Sequence, residues 1–78
     1  MKIARRIGAS PRERGSATGQ SCPDIFELDD GDFAVIGTDR TKELDSVLPV
    51  DAARADYERI VVISRSTLTR AKADIPDA

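Results

Sequence analysis

Asp24, Glu27, Asp29, Asp30 and Asp32 put five carboxylates within nine residues, a density that would suit a hard divalent cation with oxygen ligands. The spacing points elsewhere. The Ca²⁺ loop pattern D-x-[DN]-x-[DN]-G is absent, and Asp29 and Asp32 bracket an Asp-Gly pair, where a turn favours Asp for its own reasons. A second constellation is Ser64-Arg65-Ser66-Thr67. Hydroxyls and an arginine at the start of a helix can hold a phosphate or carboxylate, but no glycine-rich loop precedes them, so ordinary helix capping accounts for them. The lone thiol, Cys22, has Asp24 and Glu27 as neighbours and no histidine anywhere in the chain to activate it, so it reads as inert. Arg59, Arg65, Arg70 and Lys72 form a basic group near the C-terminal end, of the kind that meets phosphates of nucleic acid.

These side chains need elements to hold them, and the clearest is a hairpin. Within the stretch from Asp24 to Gly37, two strand-forming runs flank Asp30-Gly31, and Asp-Gly is a strong signal for a two-residue type I′ turn. With that loop Leu28 faces Phe33, Phe26 faces Val35 and Ile25 faces Ile36. Phe26, Leu28, Phe33 and Val35 then share one face, to be buried, while Ile25 and Ile36 point to the other.

After Gly37, Thr38 or Asp39 can cap a short helix from about Arg40 to Leu48 carrying Leu44, Val47 and Leu48, stopped by Pro49. Residues 49–58 read as a loop. Arg59-Ile60-Val61-Val62-Ile63 holds four consecutive β-branched residues, the pattern of a central strand covered on both faces. A helix then follows from Ser64, with Leu68, Ala71 and Ile75 on one side, ended by Pro76. The expected fold is α+β: a small β-β-α-β-α domain over residues 21–78, with a three-stranded sheet and two short helices on one face.

Residues 1–20 carry a charge of +4 and the remainder −6, within an overall −2 for 78 residues. From Gly8 to Gln20 the chain is rich in Gly, Ser and Arg and nearly free of apolar residues, which predicts a disordered basic arm over residues 1–20. The first seven residues, Met1 to Ile7, have the pattern of a short basic amphipathic turn. A chain of this length buries a small core. One cysteine and no histidine leave a single chain without an internal disulfide or the usual zinc ligands. No run approaches a membrane span or the apolar segment of a signal peptide, so the expected location is cytoplasmic.

The strings Cys22-Pro23-Asp24-Ile25-Phe26-Glu27-Leu28, Gly31-Asp32-Phe33-Ala34-Val35-Ile36-Gly37, Arg59-Ile60-Val61-Val62-Ile63-Ser64-Arg65-Ser66-Thr67-Leu68 and Ala71-Lys72-Ala73-Asp74-Ile75-Pro76 resemble a group of short uncharacterised proteins of high-GC bacteria. The resemblance covers the body without the arm. It implies a self-contained small domain and carries no catalytic residue with it. The segment from Arg59 to Leu68 is also similar to the strand-then-helix segment of swapped-hairpin transcription factors of the AbrB type, with Ser64 in place of the usual proline and Glu58 in place of the glycine before the arginine.

The expectation is a small non-catalytic regulatory or adaptor module, with no cofactor, metal or small-molecule substrate, acting through a sheet edge and the acidic hairpin on a protein partner or a second copy of itself. The partner-binding candidates are Ile25, Ile36, Asp30, Asp32, Arg65 and Arg70. The competing expectation is a nucleic-acid-associated transcriptional regulator using the basic arm and the last helix. Two helices can cover only one sheet face, so Ile25, Ile36 and a pair from the Arg59–Ile63 strand are expected at a contact with another chain.

Overall fold

The computed structural model describes residues 1–8 and 23–77 of the chain. Its main sheet is antiparallel with three strands in the order β1-β2-β3, where β1 is Ile3–Ile7, β2 is Asp24–Leu28 and β3 is Phe33–Ile36. A second, two-stranded sheet joins β4, Thr38–Asp39, to β5, Val61–Val62. The helices are short. α1 spans Thr41–Leu44 and runs on as a 3₁₀ turn over Asp45–Val47, and α2 spans Arg65–Ala71 with a 3₁₀ turn over Lys72–Asp74. The domain is α+β with a three-stranded sheet, as its sequence indicates.

The third strand of that sheet is not the one expected. Ile3–Ile7, read from the sequence as part of a disordered arm, pairs along β2, with Ile7 opposite Ile25, Arg6 opposite Phe26 and Arg5 opposite Glu27; a bulge lies between Ile3 and Arg5. Opposite charges set this pairing. Arg5 Nε lies 2.7 Å from Glu27 Oε1, and Arg6 Nη2 lies 3.0 Å from the buried Asp24 carboxylate while its guanidinium sits 5.3 Å above the Phe26 ring. Ile7, 2% exposed, is the largest fully buried side chain among the described residues. The rest of the expected arm, residues 9–20, and Cys22 lie outside the described residues.

The hairpin register is shifted by one residue from the expected one: Glu27 faces Phe33, Phe26 faces Ala34, Ile25 faces Val35 and Asp24 faces Ile36. The loop holds three residues instead of two. Leu28 N–H donates to Asp32 O at 2.8 Å, Gly31 N–H donates to Leu28 O at 3.1 Å, and Gly31 has φ +93°, the geometry of a turn closed by a glycine bulge. Asp30 Oδ1 accepts from Asp32 N–H at 2.9 Å and braces it. Gly31→Val is expected to cost ~1–2 kcal/mol, because a β-branched side chain is strained at that φ. Asp30→Asn, which keeps the accepting oxygen, should change stability by less than ~0.5 kcal/mol. Denaturant midpoints compare the two; equal midpoints would mean that the turn does not depend on its glycine.

One residue of slip moves every side chain to the opposite face. Phe33 and Val35 share a face with Ile25 and Ile7, whereas Phe26, Ala34 and Ile36 share the other with Arg6 and Asp24. The two phenylalanines therefore do not meet in one core, and Ile25 and Ile36 do not lie together.

The run Arg59–Ile63 is likewise corrected from a central strand to a two-residue ribbon strand, with Val61 and Val62 both exposed. Thr38 faces Val62 and Asp39 faces Val61, while Arg40 N–H donates to Ile60 O at 2.8 Å and Thr41 Oγ1 accepts from Ile60 N–H at 2.7 Å. Of the two helices only α2 packs on the sheet face; α1 has no buried residue and stays with the ribbon. Residues 49–58 form the expected loop, pinned by Arg54, which bonds Asp45 Oδ2 at 3.0 Å and Glu58 O at 3.2 Å.

Helix α2 begins as the sequence indicates. Ser64 is its N-cap, and its hydroxyl accepts from Thr67 N–H at 3.3 Å. The buried face of the helix is Thr67 and Ala71, one turn apart, in place of the expected Leu68, Ala71 and Ile75 stripe; Leu68 and Ile75 stay exposed. The core is small: Ile7, Ile25 and Ala71, with Ile63 packed against them.

Candidate functional site

An open apolar groove of about 210 Å³ runs between the sheet and α2. Its floor is Ile7 and Ile25, one wall is Phe33 and Val35 of β3, the other is Leu68 and Ala71 of α2, and Ile63 and Ile75 close it off. The local reasons are simple. Alternation along β3 sends Phe33 and Val35 to the helix side, and the small Ala71 at the centre of the buried helix face lets α2 settle over Ile7 and Ile25. Because the helix packs over β1 and β2, no element among the described residues covers the β3 side of the face. Phe33 is 42% exposed, Val35 44% and Leu68 55%. Large apolar side chains contiguous at such exposure are uncommon on a surface with no partner.

Beside the groove lies a free sheet edge. Among the described residues no strand pairs with the outer side of β3. Leu28 and Asp32 form a hydrogen-bonded pair at the loop, and such pairs alternate along an antiparallel ladder. The backbone groups of Ala34 and Ile36 therefore address β2, and those of Phe33 and Val35 point outward.

The residues singled out by sequence fall in four places. Ile25 is buried in the groove floor, and Ile36 is exposed on the opposite face, so the expected joint Ile25–Ile36 contact does not form. Asp30 and Asp32 stand exposed at the hairpin tip. Arg65 and Arg70 lie exposed along α2, away from the tip. Four of the five carboxylates of the hairpin are dispersed to separate partners: Asp24 to Arg6, Glu27 to Arg5, Asp29 to the Lys2 N–H at 3.2 Å, Asp30 to the Asp32 N–H. Of the residues lining the groove only Ile25 was among the partner-binding candidates; the exposed Phe33, Val35 and Leu68 were not. The signal for Phe33 and Val35 was present in the uncharged run Phe33–Thr38, which carries no residue that guards a sheet edge.

A wider polar cleft of about 570 Å³ lies by α1, among Asp39, Thr41, Lys42, Glu43, Asp45 and Arg54. Two ion pairs lie at it: Arg54 with Asp45 at 3.0 Å and Glu43 with Arg40 at 3.0 Å. Asp39 accepts the Thr41 backbone N–H at 3.0 Å. That bond above all, then the Thr41 hydroxyl and the charges of Arg59 and Arg54, outweigh a small opposing effect of desolvation and hold its carboxyl below the usual aspartate value. The N-cap of α1 is Arg40, which makes no side-chain cap bond, so Asp39, one of the two expected caps, accepts the first helical N–H from one position further out. Among the described residues no helix is long and apolar enough to cross a membrane.

No protein-family model, curated protein or solved structure matches the chain. The reading of its function therefore rests on the groove, the free edge and the charges around them.

Proposed function

We propose that this chain is a small non-catalytic regulatory or adaptor module that works by protein–protein contact, made at the open β3 edge and the apolar groove beside it. The observation that supports the reading is the juxtaposition of the two: unpaired backbone groups at Phe33 and Val35, and the exposed side chains of the same two residues facing Leu68 across the groove. An added strand would gain main-chain hydrogen bonds from the edge and bury alternate side chains in the groove, which is the way β-augmentation combines affinity with specificity. The acidic hairpin tip with Asp30 and Asp32 borders this surface. The competing nucleic-acid reading is weakened because Arg5 and Arg6 of the basic segment are engaged by Glu27 and Asp24.

Panning a displayed library of random peptides on the immobilised full chain tests the reading. Extended apolar peptides should be enriched, their affinity should fall at least about tenfold, ~1.4 kcal/mol, in Phe33→Asp and in Leu68→Asp, and binding should change little with salt. Both side chains are exposed, so the substitutions leave the core intact. No enrichment on a chain that is monomeric in solution, or enriched peptides indifferent to both substitutions, would dismiss the groove as the working surface.

A further inference from the structure

We propose that the occupant of this edge and groove is a second copy of the chain: two β3 strands pair antiparallel about a two-fold axis and turn two three-stranded sheets into one of six. The inference rests on the reading of the β3 edge and groove as the working surface and names the partner there.

Charge distinguishes the two edges of the sheet. The outer strand β1 carries Arg5 and Arg6, with Lys2 just before it, and charges of this kind keep an edge from pairing with another chain. The β3 edge has no such guard. Phe33–Thr38 is the longest uncharged run among the described residues, and every residue lining the groove is apolar. Nothing in that lining selects an acidic or a basic partner. A copy of the same chain brings the same uncharged run to the contact, so no like charges within Phe33–Thr38 oppose the pairing.

The backbone of β3 is complementary to itself. Phe33 and Val35 hold the outward N–H and C=O groups, and they are two residues apart. Antiparallel pairing of Phe33 in one copy with Val35 in the other makes two hydrogen-bonded pairs, each exchanging two bonds, and uses every outward group of both residues. Equivalent parity keeps both groove faces on the same side of the joined sheet. The two grooves then merge between the two α2 helices, and Phe33 and Val35 of each copy are covered by their counterparts. Ala34 falls on the two-fold axis opposite itself, in a non-hydrogen-bonded pair with Cα atoms ~4.5 Å apart, inside the range that a disulfide spans.

This register makes the test specific. In a Cys22→Ser background, Ala34→Cys should form a disulfide-linked dimer under mild oxidation, whereas Ile36→Cys, whose two copies would stand ~13 Å apart along the strands, should not. Sedimentation equilibrium of the parent should give twice the 8.4 kDa chain mass, and Val35→Lys and Val35→Pro should return it to a monomer. Proline at position 35 removes an outward N–H and leaves the β2 ladder intact. Lysine at the same exposed position keeps the backbone unchanged. A parent that stays monomeric while groove-dependent peptide capture persists would overturn the self-contact and leave the adaptor reading standing. A dimer that both position-35 variants preserve, or cross-linking that is equal at positions 34 and 36, would overturn it as well. Neither self-association nor peptide capture would remove both readings together.

Discussion

Ile7→Ala is expected to remove ~2–5 kcal/mol of folding free energy, the range for truncating a fully buried aliphatic side chain. Ile7 is the largest fully buried side chain among the described residues and packs with Ile25, Ala71 and Ile63. A domain of this size has ~4–10 kcal/mol in total, so the variant should lose about half of its stability or more. Ile3→Ala, at the exposed start of the same strand, should change it by less than ~0.5 kcal/mol. Urea unfolding followed by far-ultraviolet circular dichroism separates the two. Matching midpoints for Ile7→Ala and Ile3→Ala would mean that β1 is not integral to the sheet. The contrast is sharp because composition alone places residue 7 in a solvated arm.

Gly8→Ala should be nearly as damaging, through a different cause. Gly8 has φ +79°, and a Cβ there would come within 3.0 Å of the Ala71 nitrogen and 3.1 Å of the Ala71 Cα and the Arg70 carbonyl carbon. These are backbone atoms of α2 and cannot rotate aside. Strain at positive φ adds ~1–2 kcal/mol and overpacking adds ~1–3 kcal/mol, so ~2–5 kcal/mol is expected. The Gly8 N–H also donates to Asp74 Oδ2 at 2.8 Å, tying the end of β1 to the turn after α2, and any shift that relieves the clash strains that bond. Gly31→Ala is the control, since its φ is +93° but nothing lies within 4 Å of the added carbon. Only the backbone cost applies there. Denaturant midpoints that fall equally for the two alanine variants would show that the approach of Gly8 to α2 is looser than these distances.

Local signals were legible wherever a few neighbouring residues settle the outcome. Ser64 caps α2 because its hydroxyl reaches Thr67 N–H three residues on, and α1 gives way to extended backbone at Leu48, immediately before Pro49. Asp30-Gly31 makes a turn wherever it stands, since Gly31 alone can take the positive φ. The groove was half legible. Phe33 and Val35 were read as a buried pair, and their alternation was correct, but the cover over them was assumed.

The remaining errors share one origin. A loop of two residues and a loop of three both suit Asp29-Asp30-Gly31, and they differ only in which face each strand residue takes. The observed register puts Ile25 beside Ile7 under α2 and leaves Asp24 to meet Arg6; those contacts span 18 residues in each case. The β-branched run at Ile60–Ile63 has the propensity of a central strand, but β2 already has β1 and β3 on its two sides, so the central place was taken and the run pairs with β4.

By itself the sequence determined the α+β class, the positions of the hairpin turn and the α2 cap, and the basic and acidic halves of the charge. These depend on backbone preference and on residues within a turn of one another. Only the tertiary structure decided that Ile3–Ile7 completes the sheet, that the register slips by one, and that α2 covers β1 and β2 while β3 stays open. Each of these follows from which distant apolar and charged groups meet, a competition among long-range contacts whose energies are individually small and whose outcome local propensity does not encode.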